Sequence, residues 1–206
     1  GEYWKNHFNT IGLSGMNESI INFMGKDIGT TEGKEFAVRV MNLMKERMVE
    51  YQEETGDLYN LEATPAEGVS YRLPRLDKEK YGNNIIAANE DQVKNEDADP
   101  YYTNSTHLPV GYTDDIFTAL ELQDDLQAIY TGGTVFHGFL GENMPDIRST
   151  KLLVKRIADN YSLPYYTITP TFSICPVHGY LPGEHYYCPK CEAEAEMEVS
   201  AAATTE

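Results

Sequence analysis

The sequence predicts an α/β protein with parallel strands, followed by a small zinc ribbon. Helix-periodic apolar stretches alternate with single β-prone runs, hairpin signals are missing between those runs, and two Cys-Pro-x-(Cys/His) pairs stand between positions 175 and 191. Parallel sheets need both faces covered, and the alternating helices supply that cover.

Residues 9–25 start with glycine-spaced apolar residues and pass into Ser19-Ile20-Ile21-Asn22-Phe23-Met24, which reads as a short buried strand, a turn and a short helix. Phe36, Val40, Met44, Met48 and Tyr51 then recur every three or four positions, between Thr31 as N-cap and Gly56 as stop. That spacing predicts a helix of about twenty residues. Met41, Met44 and Met48 could form a pliant binding face, but their spacing fits core packing better. Residues 57–112, rich in Pro, Asn, Asp, Gly and Tyr, read as loops with short strands near Asn84–Ala88 and His107–Val110.

Thr113 or Asp114 can cap a helix with Ile116, Leu120, Leu126 and Ile129/Tyr130 on its apolar face, and Gly132-Gly133 stops it. A strand-like run, Thr134–Leu140, follows. Ser149 opens a third helix through Leu152/Leu153, Ile157 and Tyr161, and Pro164 leads into the β-prone Tyr165–Thr169. Glu192–Glu206, rich in Glu, Ala and Thr and free of aromatic residues, is expected to be a disordered tail.

With 206 residues, 41% of them hydrophobic, the chain can bury a sizeable core. Its 33 acidic and 16 basic residues give a formal charge of −17, which repels phosphate backbones and anionic membranes and argues against nucleic-acid binding as the main task. Nucleotide binding stays open, because helix N-terminal amides act locally while salt screens charge beyond about 8–10 Å. No run approaches the ~18–20 apolar residues of a membrane span, and Gly1–His7 has no secretory pattern, so the cytoplasm is the expected location. Gly1 in place of an initiator methionine suggests a piece of a longer chain.

All three cysteines lie between positions 175 and 191, an odd number in one short segment, which suits a metal better than a disulfide framework. Cys175-Pro176-Val177-His178 and Cys188-Pro189-Lys190-Cys191 each space two ligands by two residues, so three thiolates and one imidazole complete a tetrahedral Zn²⁺ shell. Iron in the same shell is the alternative, and His185 is a rival to His178 as the imidazole. Gly179 suits a knuckle that turns back with φ > 0 after the second ligand. Four protein ligands leave no open position, so the zinc is structural.

Several runs, in order, are similar to class III anaerobic ribonucleotide reductases. These are Asn9-Thr10-Ile11-Gly12-Leu13 with Gly15-Met16-Asn17-Glu18; Leu61-Glu62-Ala63-Thr64-Pro65-Ala66-Glu67-Gly68; and Tyr101-Tyr102-Thr103-Asn104-Ser105-Thr106-His107-Leu108-Pro109-Val110. Tyr130-Thr131-Gly132-Gly133-Thr134 with His137-Gly138, and Thr169-Pro170-Thr171-Phe172-Ser173 running into the zinc pairs, extend the match over about residues 3–191.

The resemblance implies the later part of a ten-stranded α/β barrel over residues 1–170, a zinc ribbon over 171–191 and the tail over 192–206. It implies a large catalytic subunit, a homodimer in the full enzyme, that reduces ribonucleoside triphosphates to deoxyribonucleotides. In such enzymes a glycyl radical, installed by a radical S-adenosylmethionine activating enzyme, generates a thiyl radical on a barrel cysteine, with formate as reductant. Zinc occupies every cysteine of this chain, so the thiyl cysteine is expected upstream of Gly1, and no Arg-Val-x-Gly-Tyr loop follows Cys191. Val177–Leu181 imitates that loop but lacks its arginine. This chain therefore has no catalytic residue of its own and is expected to be inactive alone.

Substrate binding is what such a piece would contribute. Small residues and a proline in Glu62–Gly68 stand where a helix could begin, so Thr64, Ala66, Glu67 and Gly68 are candidates for holding a triphosphate on free amides. Asn104 and Ser105, with His107 beside them, could add hydrogen-bonding groups. The competing reading is a stand-alone zinc-ribbon interaction module. A formate-lyase relative is disfavoured by the zinc pairs.

Overall fold

The computed structural model describes residues 5–140, 146–170, 172–182 and 187–195. Strand β1 (Phe8–Gly12) pairs in parallel with β2 (Leu58–Glu62), with Phe8 opposite Leu58 and Gly12 opposite Glu62. Helices α1 (Met16–Met24) and α2 (Thr31–Thr55) lie between them in the chain. Then come α3 (Gly68–Tyr81), a 3₁₀ turn (Gly82–Asn84), α4 (Glu90–Asn95), α5 (Ile116–Ile129), β3 (Phe136–Leu140), α6 (Ile147–Asn160), β4 (Tyr166–Pro170), β5 (Phe172–Cys175) and β6 (Gly179–Pro182). Among the described residues the strands form three two-stranded sheets, β1-β2, β3-β4 and β5-β6. The chain divides into two compact units, residues 1–136 with 160–166 and residues 137–159 with 167–206.

In the first unit Met16, Ile20, Ile28, Ala37, Met41, Met48, Leu61, Leu126 and Tyr130 form the core. Met41 and Met48 are buried and Met44 packs against them, so the methionine stripe is core. Helix α2 begins one residue earlier than its sequence suggests: Thr30, not Thr31, is the cap, its Oγ1 accepting the Gly33 N–H at 3.1 Å. Gly56 ends it as expected, at φ 75 with its N–H on the Gln52 carbonyl. Asp115, rather than Thr113 or Asp114, caps α5 by accepting the Phe117 and Thr118 amides. Those bonds, led by the Thr118 hydroxyl, hold the Asp115 carboxyl below the usual carboxylate range.

The stretch 57–112 corrects the sequence reading most. It holds two helices, and neither Asn84–Ala88 nor His107–Val110 is a strand. Helix α3 was hidden by Pro74, which sits fully buried inside it. Proline removes the amide that would reach the Ser70 carbonyl one turn back. That carbonyl instead accepts the Tyr102 N–H at 2.9 Å, so a tertiary contact replaces the missing helical bond. Gly132 and Gly133 do more than end α5. Thr131 and Gly132 donate their amides to the Leu61 carbonyl, and the Gly133 carbonyl accepts from Ala63. A Cβ at Gly132 would meet Asn60 Nδ2 at 2.9 Å and the Leu61 carbonyl oxygen at 3.1 Å, so a larger residue would crowd this contact with β2 and make Asn60 give way.

In the second unit Asp146, rather than Ser149, caps α6, its carboxylate accepting the Arg148 and Ser149 amides at 2.8 and 3.1 Å. Ile157 is fully buried. Strands β5 and β6 form an antiparallel hairpin, a departure from the parallel pattern that the two-residue ligand spacing accounts for. Residues 189–195 are helical, so the first four residues of the expected tail are folded, and 196–206 lie outside the described residues.

Candidate functional site

The β5-β6 hairpin carries Cys175 at the end of its first strand and His178 in the turn, while Cys188 and Cys191 bracket the start of the 189–195 helix. Their ligand atoms all lie within 4.8 Å of one another. Cys175 Sγ is 3.7 Å from Cys191 Sγ and 3.8 Å from His178 Nδ1, and Cys188 and Cys191 Sγ are each 3.4 Å from that nitrogen. A tetrahedral ion with bonds of about 2.3 Å to sulfur and about 2.0 Å to nitrogen sets its donors about 3.5–3.8 Å apart. The four side chains therefore fit one zinc ion, which would cross-link the hairpin to the following helix.

The surroundings are those of a ligand shell. His178 Nε2 lies 3.0 Å from Glu194 Oε1, the carboxylate–imidazole pairing that fixes which nitrogen faces a metal. The Val177 amide donates to Cys175 Sγ at 3.4 Å, and Gly179 turns at φ 69. Amides of His178 and Val177 pull the Cys175 thiol down to about 6. Glu194 first, then Cys175, raises the His178 imidazole to about 9, and the hydrogen bond with Cys175 pushes Cys191 up to about 12. Protons shared in this way are released when a divalent cation takes their place. His185, the rival ligand, lies outside the described residues.

A second arrangement occupies the first unit. Parallel β1 and β2 end at Gly12 and Glu62, and the residues just beyond them line a cleft of about 210 Å³: Gly12, Leu13, Ser14, Thr64, Pro65 and Ala66, with Val69 of α3. A Cβ on Gly12 would come within 2.3 Å of Thr64 Oγ1, so glycine is needed for the two turns to approach. Helix α3 begins at Gly68, where the small residues of 62–68 allow a helix to start.

Of the candidate substrate residues, Thr64 and Ala66 line this cleft, whereas Glu67, Gly68, Asn104 and Ser105 are not among its lining residues. Asn104 Oδ1 accepts the Ala66 N–H and the Ser70 hydroxyl, each at 3.0 Å, and the Ser105 hydroxyl lies 3.4 Å from the Thr64 carbonyl. Ala66 and Ser105 are thus tied up within the protein, while the amides of Glu67 and Gly68 and the Asn104 Nδ2 have no partner among the described residues. Ser14 Oγ is buried without a partner, and sequence reading missed it; its only signal was its place after the Ile11-Gly12-Leu13 run. Among the described residues no helix is long and apolar enough to cross a membrane.

Fold and site define an α/β polypeptide with a Cys₃His cluster whose geometry fits a metal ion and a cleft at the carboxyl ends of a parallel strand pair. The sequence profile described as "Anaerobic ribonucleoside-triphosphate reductase" matches residues 1–202, and the chain belongs to that family. The Haemophilus influenzae anaerobic ribonucleoside-triphosphate reductase is 26% identical over 202 residues, covering 93% of this chain and 26% of that protein. A solved structure described as "Anaerobic ribonucleotide reductase" superposes with a TM-score of 0.67 at 25% identity, over 92% of this chain and 28% of its own. The Thermotoga maritima enzyme in complex with dATP and CTP gives a TM-score of 0.65 at 24% identity, over 89% of this chain and 29% of its own. The chain spans about a quarter of the length of its curated relatives.

Proposed function

We propose that this chain is the later part of the ten-stranded barrel of an anaerobic ribonucleoside-triphosphate reductase, where it holds the substrate's phosphates and carries a structural zinc ribbon. The observation behind the phosphate reading is the cleft at the carboxyl ends of β1 and β2, closed on one side by the N-terminal turn of α3. Parallel α/β sheets bind ligands at the carboxyl ends of their strands, and a helix N-terminus favours anions. Thr64, Ala66, Glu67 and Gly68 form the turn, with the Glu67 and Gly68 amides as donors. Asn104 braces that turn through Oδ1 and offers Nδ2, while Ser105 anchors the Thr64 carbonyl.

Cys175, His178, Cys188 and Cys191 would hold the zinc, which supplies a rigid cross-link. All three cysteines of the chain belong to this cluster, so the thiyl-forming cysteine is contributed by another part of the enzyme, as is the glycyl radical, for which this sequence has no Arg-Val-x-Gly-Tyr run. Reduction by formate, activation by a radical S-adenosylmethionine enzyme and a homodimeric assembly belong to the whole enzyme on the same reading.

The test is calorimetric titration of the zinc-loaded chain with CTP, inorganic tripolyphosphate and cytidine. Binding of the first two with no binding of cytidine supports the phosphate site. Cytidine binding as tightly as CTP, or no binding of either phosphate ligand, overturns it.

A further inference from the structure

Glu18 is a carboxylate with 1% of its surface exposed, and no cation faces it among the described residues. Its oxygens are instead filled by three donors from only two residues. Oε1 accepts Asn17 Nδ2 at 2.8 Å and the Thr103 hydroxyl at 2.7 Å, and Oε2 accepts the Thr103 N–H at 2.9 Å. Asn17 is itself fixed, since its Oδ1 accepts the Ile28 amide at 3.1 Å. A buried charge is costly, and bonds to an ionised acceptor are short and directional. Here they converge on the residue that precedes Asn104.

Thr103 opens a loop that links the starts of α1 and α3. Its carbonyl accepts the Gly15 amide at 2.8 Å, the Ser105 carbonyl accepts the Met16 amide at 3.1 Å, and Tyr102 donates to Ser70. Ser105 adopts a left-handed φ of 50, which a serine keeps only when its neighbours hold it. Between these anchors Asn104 reaches the Ala66 amide and the Ser70 hydroxyl.

We propose that Glu18 is a positioning residue for the phosphate turn: its buried carboxylate fixes Thr103, Thr103 sets Asn104, and Asn104 orients the Ala66 amide at the start of α3. The proposal rests on the phosphate reading above for its functional consequence, but the mechanical link stands on contacts within this unit. Glu18→Gln keeps the volume and replaces one acceptor by a donor. In either flip the Gln NH2 then faces an N–H donor, of Thr103 or of Asn17, with no acceptor between them, and the Thr103 clamp opens.

The experiment uses the full zinc-loaded chain in four forms: wild type, E18Q, N104A and the double variant. Thr103→Val is a fifth form that breaks the same link from the other side. Amide exchange at Ala66 is followed by NMR, α2 amides serve as the control, and tripolyphosphate is the titrated ligand. E18Q and T103V are expected to speed Ala66 exchange about tenfold, the loss of roughly one hydrogen bond, and to weaken tripolyphosphate binding by a similar factor. In the N104A background E18Q should add nothing to Ala66 exchange, because the proposed path to the Ala66 amide runs through the Asn104 side chain.

Unchanged Ala66 exchange in both E18Q and T103V overturns the proposal. So does acceleration that is equal in α2, or losses in E18Q and N104A that multiply in the double variant. If the wild type binds no tripolyphosphate, the phosphate reading falls, while Ala66 exchange still decides the role of Glu18.

Discussion

Tyr102 donates its backbone N–H to the Ser70 carbonyl at 2.9 Å, filling the acceptor that Pro74 leaves without a helical donor. The same residue reaches about two turns further along α3, where its hydroxyl donates to Asp77 Oδ2 at 2.8 Å. Helix α3 is therefore held to the 101–106 loop at two points, and both points set where its N-terminus stands in the cleft.

The hydroxyl contact can be tested by pH. Burial first, and the Asp77 hydrogen bond second, raise the Tyr102 phenol well above its ordinary value of 10.0. The folded state thus keeps a proton that the unfolded state gives up near pH 10. The stabilisation is complete below that pH and is lost as pH rises through the folded value. Tyr102→Phe should cost about 1 kcal/mol at pH 8, the worth of one hydrogen bond, and the gap between variant and wild type should close above pH 10. Urea midpoints at pH 8 and 10.5 measure it. A gap that widens with alkalinity would contradict the assignment.

Much of this was legible in the sequence where one local signal decides the outcome. Gly56 stops α2, the methionine stripe is buried, and the two ligand pairs come together within 4.8 Å. Each of these depends on spacing within a single element or on the chemistry of sulfur. What was not legible depends on distant partners. Pro74 reads as a helix breaker until Tyr102, far along the chain, supplies the missing donor. Gly132 reads as a helix stop until β2 is seen beside it. Glu18 carries no local signal of burial, and only its contacts with Thr103, far along the chain, show why it is buried. The caps were displaced by one to three residues because several adjacent Thr, Ser and Asp side chains compete for the same amides.

Gly12 tests how closely the two turns must approach. A methyl group there would stand 2.3 Å from Thr64 Oγ1 and 2.9 Å from its Cβ, and the second atom cannot rotate away. Gly12→Ala should cost about 1–3 kcal/mol through overpacking and narrow the cleft between Ser14 and Ala66. Thermal unfolding gives the first quantity and tripolyphosphate affinity the second. A variant with unchanged stability and affinity would show that the turns are free to separate.

Glu194 is expected to matter for the metal although it does not touch it. Its carboxylate faces His178 Nε2 at 3.0 Å, fixing the ring so that Nδ1 points to the three sulfurs. Loss of such a partner typically weakens metal binding 10–100-fold. Glu194→Ala should therefore lower zinc affinity by about that range in a chelator competition, without changing the stoichiometry. An affinity equal to wild type would mean that the hairpin alone orients the imidazole.

Removal of the metal should act locally. The β5-β6 hairpin has two four-residue strands, and a two-stranded ribbon of that size is marginal on its own. The first unit, by contrast, packs α1, α2, α5 and β2 around a continuous apolar core that contains no zinc ligand. Elemental analysis of the purified chain should give one zinc per molecule, and Cys188→Ser should give much less. Chelation should release amide protection in 172–182 and 189–195 while the α2 amides stay protected, since the ligand set rather than a core holds the ribbon together. If chelation instead melted α2 at the same chelator concentration, the ion would support the whole molecule, and the zinc centre would have to be read as part of its folding nucleus rather than as a local staple.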